Sequence, residues 1–229
     1  MAAKGLIIGG HGGIGSATLA TLTMRKAWVH WFVPTYEELD VNFPQDILKY
    51  VDDNGPFKYI VYSPGVNVLR WIKDLGWPGS IFDQTWSVNC AGFVHLLGCH
   101  ERRFPEAEGS IVAVSSDAAR RPMRGSISYC SSKAALDMAV KCAARELAPR
   151  WRVNAVSPGM TDNTGMTRSL DEQIPKFRGW SPEYARQYED SQNPMGRRAR
   201  PAEIAEVVAG TLFGPQYLSG SIIEVNGAR

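Results

Sequence analysis

Tyr129 and Lys133 stand four residues apart in the stretch YCSSK. On a helix that spacing puts both side chains on one face. A phenol titrates near ~10, too high for efficient proton transfer at neutral pH, and a neighbouring ammonium favours the phenolate and draws that value down. Ser116, thirteen positions upstream in VAVSS, closes an apolar run and can set a hydroxyl beside the phenol. Together the three residues can form an acid–base centre. A Tyr–Lys pair on its own is more often ordinary helix surface, so the reading needs a second mark.

That mark lies near the start of the chain. KGLIIGGHGGIGSATLATL carries five glycines within the seven positions from Gly9 to Gly15. Each costs conformational entropy on folding. They follow an apolar run and precede a stretch that can be helical, which is the setting in which backbone N–H groups and a helix N-terminus cradle a phosphate. The spacing is Gly9-x-x-x-Gly13-x-Gly15, unlike the G-x-G-x-x-G dinucleotide fingerprint, and alone it also fits a merely tight turn.

The elements that must position these groups alternate along the chain. Apolar or β-branched runs at 6–8, 27–33, 58–63, 110–116, 152–157 and 221–225 read as strands. Between them, 16–24, 43–55, 80–104, 129–148 and 201–213 read as helices. Such alternation implies a parallel sheet covered on both faces and right-handed crossovers, an α/β doubly wound Rossmann-type fold. Ligands in such folds sit at the carboxyl ends of the strands, where Ser116 falls. The segment 158–200, punctuated by prolines and glycines, reads as a long irregular substrate loop.

The 229 residues, 44% hydrophobic and 21% charged, suit a single catalytic domain spanning 1–229. The net charge of +2 gives no electrostatic basis for nucleic-acid or membrane partners. The first glycines come too early for a secretory signal. Cys90, Cys99, Cys130 and Cys142 show no C-x-x-C spacing, which favours a reduced, cytoplasmic protein with thiols as small core fillers; no metal site is expected.

Taken in order, these motifs resemble the short-chain dehydrogenase/reductase family over nearly the whole chain. The glycine motif, Gly65 in YSPG, VNCAG at 88–92, VSS at 114–116, YCSSK at 129–133 and RVNAVSPG at 152–159 match its signatures, as do the closing segments around NPMGRRARPAEIAEVV and LSGSIIEVNG. Ile8 stands where Thr is usual, and YSPG replaces N-N-A-G.

The resemblance implies an NAD(P)-dependent oxidoreductase that interconverts a carbonyl and an alcohol of a small-molecule substrate. Tyr129 is then the acid or base, Lys133 its modulator and a ribose ligand, Ser116 the holder of the substrate oxygen, and Asn89 the support of a water relay. Gly9, Gly13, Ile14, Gly15 and Gly65 are implied at the cofactor. Asp40 and Val41 are implied at the adenine, and Pro158 and Gly159 beside the nicotinamide. Thr161 and Thr164 compete for one role at the carboxamide and phosphate. Family habit also implies a homo-oligomer, dimer or tetramer, packed through the helices at 80–104 and 129–148, whose Phe93, Met138 and Val140 suggest more than one apolar side. The alternative is a dinucleotide-binding sensor or a non-redox relative on the same fold; Tyr129, Lys133 and the intact glycines argue against it.

Only six residues, 34–39, separate the second strand from Asp40, so the usual third helix is missing or a single turn. No Lys or Arg lies between 27 and 48, while Glu37 and Glu38 do, which leans the cofactor toward NAD(H) over NADP(H). Residues 117–125 and 160–199 should line or cover the substrate side, where Arg120, Arg121, Arg124 and Arg178 with Phe177 and Trp180 suit an anionic or aromatic substrate, although loop arginines are commonly just solvated.

Overall fold

The computed structural model describes residues 2–76 and 79–229. Six strands form one parallel sheet in the order β2-β1-β3-β4-β5-β6. They are β1 (Ala3–Ile8), β2 (Val29–Phe32), β3 (Tyr59–Tyr62), β4 (Gly109–Val114), β5 (Trp151–Pro158) and β6 (Ile222–Val225). The chain leaves β1 toward β2 and then returns to the other side of β1 for β3, so a topological switch point lies at the carboxyl ends of β1 and β3.

Strand side chains alternate between two buried faces, as a doubly covered sheet requires. Leu6, Ile8, Ile60, Tyr62, Ile111 and Ala113 face one layer of helices. That layer comprises α2 (Pro44–Asn54), α4 (Gly92–Arg103) and α5 (Ile127–Leu147). Ile7, Val61, Val112, Val114 and Val156 face the other layer, where Leu22 and Ile204, Val208 and Leu212 pack against them. Those residues belong to α1 (Gly13–Arg25) and α8 (Pro201–Leu212).

The region 80–104 is helical but not uniform. Helix α3 (Ile81–Trp86) runs into a π-helical turn, Ser87–Ala91, before α4 begins. The Gly92 N–H reaches back to the Ser87 carbonyl, one residue further than α-helical bonding. No helix stands between β2 and Asp40; residues 36–38 form only a turn, which agrees with the expected loss of the third helix.

The segment 158–200 departs from the sequence reading. It contains α6 (Gly165–Arg178) and α7 (Pro182–Ser191). The residues that read as breaks are the caps: the Thr164 hydroxyl accepts from the Thr167 N–H, Gly179 closes α6 at φ +70°, and Ser181 caps α7 with Pro182 in its first turn. Arg198 joins the two helices. Its side chain is 3% exposed, and it donates to both carboxylate oxygens of Asp171 at 2.9 and 3.0 Å and to Asp190 at 2.9 Å.

Two further expectations need correction. Phe93 and Val140 are fully buried against the sheet, so of the three residues invoked for an outer apolar face only Met138 is exposed. Cys90 is buried and Cys99 and Cys130 are half-buried, but Cys142 is exposed and fills no core.

Candidate active site

The switch point opens into a cleft of about 250 Å³. Gly12, Gly13, Ile14 and Gly15 line one end, Ser63, Pro64 and Gly65 the adjacent edge, and Pro158, Gly159, Thr161 and Thr164 the opposite lip. Ser116, Tyr129 and Lys133 line the middle. Most of the sequence-predicted residues thus converge on one site.

The glycine end is shaped by close backbone approach. Gly9 adopts φ +76°, and its carbonyl accepts from the Gly12 N–H at 3.0 Å. A Cβ on Gly15 would lie 2.1 Å from the Gly9 oxygen, and one on Gly13 would lie 2.9 Å from the Thr164 Cβ. Only glycine therefore lets the turn coil this tightly at the start of α1 while the N-terminus of α6 closes over it. This bare cradle at a helix N-terminus fits a pyrophosphate.

Ser116 follows the end of β4 and caps a short 3₁₀ turn, Asp117–Ala119. Its Oγ accepts from the Ala118 N–H at 3.2 Å and donates over a long 3.4 Å to Asp117 Oδ1, a weak contact that a ligand oxygen can replace. Tyr129 and Lys133 rise from the first two turns of α5, both nearly inaccessible. Burial pushes the Tyr129 phenol up to about 12, opposed by the Ser116 hydroxyl and reinforced by the Asp117 carboxylate. Burial also pulls the Lys133 ammonium down to about 8, opposed by Asp137 and by Cys90. Lys133 Nζ donates to the Val114 carbonyl at 2.8 Å and lies 5.9 Å from the centre of the Tyr129 ring. Here desolvation dominates and the Lys133 ammonium is not among the groups that lower the phenol, so the expected help of the lysine is absent and the phenol holds its proton more tightly than in water.

Behind the lysine lies a partly buried network whose carboxylate favours the ammonium through its charge. Asp137, one turn further along α5, accepts from Ser115 Oγ at 2.5 Å and from Arg120 at 2.8 Å. Arg120 also donates to Ser157 at 2.8 Å and pairs with Glu224 at 3.1 Å, so this arginine is structural and does not line the cleft.

Four predicted residues, Gly9, Asn89, Asp40 and Val41, do not line the cleft. Gly9 shapes the turn from beneath. Asn89 is fully buried in the π-helical turn: its Oδ1 accepts from the Val66 N–H at 2.9 Å, and its Nδ2 donates to the Val66 carbonyl at 3.0 Å and to Ser132 Oγ at 2.9 Å. It ties the loop after β3 to α5. Asp40 is a local turn former whose Oδ1 accepts from the Asn42 backbone and side chain at 2.9 and 2.8 Å. Val41 belongs to the core beneath α4. Of the two threonines, Thr164 is engaged in capping α6, while Thr161 Oγ1 donates to the Gly159 carbonyl at 3.2 Å.

Beyond the phenol, Asp117, Met123, Arg124, Leu170, Ile174, Arg178, Glu189 and Arg229 line the substrate side. The segments 117–125 and 160–199, expected on this side, supply all of these but Arg229; within them the sequence singled out Arg124 and Arg178 and not Asp117 or Glu189. Asp117 had a signal, an acid directly after the serine that closes β4; Glu189 and Arg229 had none. Among the described residues no cluster of His, Cys, Asp and Glu could hold a metal, and no helix is long and apolar enough to cross a membrane.

A parallel sheet with a phosphate cradle and a Ser–Tyr–Lys centre at its switch point defines a dinucleotide-dependent oxidoreductase fold. The family model described as "Enoyl-(Acyl carrier protein) reductase" matches residues 46–227. An L-xylulose reductase of Caenorhabditis elegans is 31% identical over 196 residues, covering 82% of this chain and 72% of its own. A 3-oxoacyl-[acyl-carrier-protein] reductase of Thermotoga maritima is 36% identical over 185 residues, covering 78% and 68%. The crystal structure of a short chain dehydrogenase family protein from Francisella tularensis superposes with a TM-score of 0.86 at 26% identity, covering 99% of this chain and 98% of that one. An actinorhodin polyketide ketoreductase solved with NADPH shares the fold, with a TM-score of 0.87 at 22% identity over 99% and 96%. The chain belongs to the short-chain dehydrogenase/reductase family. It is an NAD(P)-dependent dehydrogenase or reductase.

Proposed function

We propose that this single catalytic domain interconverts a small carbonyl compound and its alcohol, with Tyr129 as the proton donor in the reducing direction. The supporting observation is the convergence of Ser116, Tyr129 and Lys133 in one cleft whose far end is the glycine cradle. The nicotinamide supplies the hydride. Ser116 turns its hydroxyl proton from the long Asp117 contact to the substrate oxygen, and Tyr129 delivers a proton to that oxygen as negative charge develops. A phenol raised to about 12 is held protonated, the form reduction needs. Lys133 holds the nicotinamide ribose and stabilises the phenolate left behind. Gly13, Ile14, Gly15, Gly65, Pro158, Gly159, Thr161 and Thr164 line the dinucleotide's path. Gly9 and Asn89 act from beneath, by shaping the turn and by bracing the wall.

NAD(H) is the favoured cofactor. Glu38 accepts from the Thr35 N–H at 2.8 Å and holds a negative charge in the loop after β2, while Arg25, the nearest preceding arginine, is paired with Glu206 on α8. Neither feature welcomes a 2′-phosphate. The absent helix beyond β2 gives looser adenosine binding than the family norm. The protein works in the cytoplasm as a homo-oligomer built on the outer faces of α4 and α5, where Val94 and Met138 are exposed.

The test is a titration of NADH and NADPH followed by a carbonyl and alcohol panel on wild type and Tyr129→Phe, with light scattering on the same samples. Expected are tighter NADH binding, a species larger than 25.2 kDa, and turnover in the variant lower by ~10²-fold or more with cofactor binding retained. Near-normal turnover of Tyr129→Phe overturns the proton-donor role, tighter NADPH overturns the cofactor preference, and a monomer overturns the oligomer.

A further inference from the structure

Asp117 is a charged group on the catalytic wall that the proton transfer leaves without a task. It is 8% exposed and lines the cleft immediately after Ser116. Among the described residues no cation lies within ion-pair distance of it, and the contact from Ser116 Oγ to its Oδ1 is long, at 3.4 Å. Burying a carboxylate without a partner is costly. This one also works against the phenol by holding its proton more tightly. The charges of Arg229 and Arg121, the Ser116 hydroxyl and the Ala118 N–H offset the burial only in part, so the Asp117 carboxyl is still pushed above its ordinary range.

The facing wall is also under-satisfied. Arg229 approaches Glu189 at 3.4 Å, a loose contact for a charge-assisted bond, and its Nε is buried with no partner. Arg178 Nε is likewise buried without a partner; its guanidinium lies 4.8 Å over the Trp180 ring and makes no ion pair among the described residues. With Arg124 the wall holds two carboxylates and three guanidiniums. A ligand carrying a full charge gains against one set and loses against the other. A hydroxyl gains against both, donating to the carboxylates and accepting from the guanidiniums.

We propose that the substrate is a hydroxycarbonyl compound with a hydroxyl on the carbon next to the reacting carbonyl, and that Asp117 selects it by accepting that hydroxyl. The proposal rests on the carbonyl–alcohol reading of the site. The geometry is simple. Ser116 Oγ takes the carbonyl oxygen, and the oxygen on the neighbouring carbon falls about one hydrogen bond away, where Asp117 Oδ1 lies 3.4 Å from Ser116 Oγ. Further hydroxyls reach Glu189, Arg178 and Arg229. In the reaction, hydride from the reduced nicotinamide bonds to the carbonyl carbon, the C=O π pair moves to oxygen, and Tyr129 protonates that oxygen. Carbonyl, NAD(P)H and one proton become alcohol and NAD(P)⁺. The neighbouring hydroxyl is not consumed, and the product is a vicinal diol.

The experiment compares kcat/KM of wild type and Asp117→Asn on three reagents of similar size: 3-hydroxy-2-butanone, 2-butanone and the anionic 2-oxobutanoate. Wild type is expected to prefer the hydroxyketone over the plain ketone by ~10²-fold or more, because a site built around a hydroxyl leaves a buried group unpaired when that hydroxyl is missing. Asp117→Asn is expected to shrink that preference at least ~10-fold, mainly through the KM of the hydroxyketone. NADH binding to the variant reports that it is folded. Equal use of hydroxyketone and ketone by wild type, or preference for the oxo acid, overturns the proposal without needing the variant. An unchanged preference in a folded Asp117→Asn overturns the role of Asp117. Tight cofactor binding with no turnover of any carbonyl overturns the underlying redox reading instead.

Discussion

The two walls of the cleft are built from different materials. At the cofactor end the surface is mostly backbone: Gly12 to Gly15 at the start of α1, and Pro158 and Gly159 at the end of β5. Its shape comes from close approaches such as that of Gly15 to the Gly9 carbonyl. At the substrate end the surface is long charged side chains, Asp117, Arg178, Glu189 and Arg229, brought together from distant parts of the chain. Its shape depends on Arg198 holding α6 to α7. A backbone-built wall is as rigid as the sheet beneath it. A wall of side chains is only as well placed as the ion pairs behind it.

Removing the clamp is the sharpest way to separate the two. Arg198→Leu deletes charge-assisted bonds to Asp171 and Asp190, and losing such bonds costs about 1.5–3 kcal/mol. The expected result is a higher KM, earlier proteolysis within 165–191, and little change in the dissociation constant of the cofactor. Equal damage to cofactor binding would show that the walls are not independent. Gly15→Ala is the converse. Forcing a Cβ against the Gly9 carbonyl costs about 1–3 kcal/mol, and calorimetric titration should find it as weakened cofactor binding with the α6–α7 cap intact by proteolysis. The smallest effect concerns Lys133, which serves both walls. Burial lowers its ammonium to about 8, so the charge is present below that pH and lost above it. Cofactor affinity should fall by up to ~10-fold from pH 7 to pH 9, and a profile that stays flat in wild type would remove Lys133 from cofactor binding.

The same contrast explains what could be read from the chain. The glycine turn, Ser116, Tyr129 and Lys133 obey local rules: an apolar run, a turn that needs glycine, a four-residue helical spacing. The missing helix after β2 was a matter of counting residues 34–39. Helices α6 and α7 were hidden because Gly179 and Pro182 punctuate a sequence in the same way whether they interrupt helices or cap them. Phe93 and Val140 looked outward only because periodicity cannot say which apolar stripe meets the sheet. Asp40 resembled a ligand contact, yet its Oδ1 is occupied by Asn42. Glu189 and Arg229 carry no local signature at all, since their meaning comes from a tertiary meeting across 40 positions.

The π-helical turn at Ser87–Ala91 makes chain length itself a coordinate in this protein. The extra residue held there offsets the rotation of α4 relative to α3. Deleting any one of those five residues would restore ordinary helical bonding, and would also turn one helix against the other by about 100°. Either Phe93 and Leu96 would leave the sheet, or Asn89 would leave Val66. Elsewhere on a helix of this length a shortened chain could fray at an end; here the reading frame of the fold is locked at both ends, and indels in this stretch should be far less tolerated than substitutions.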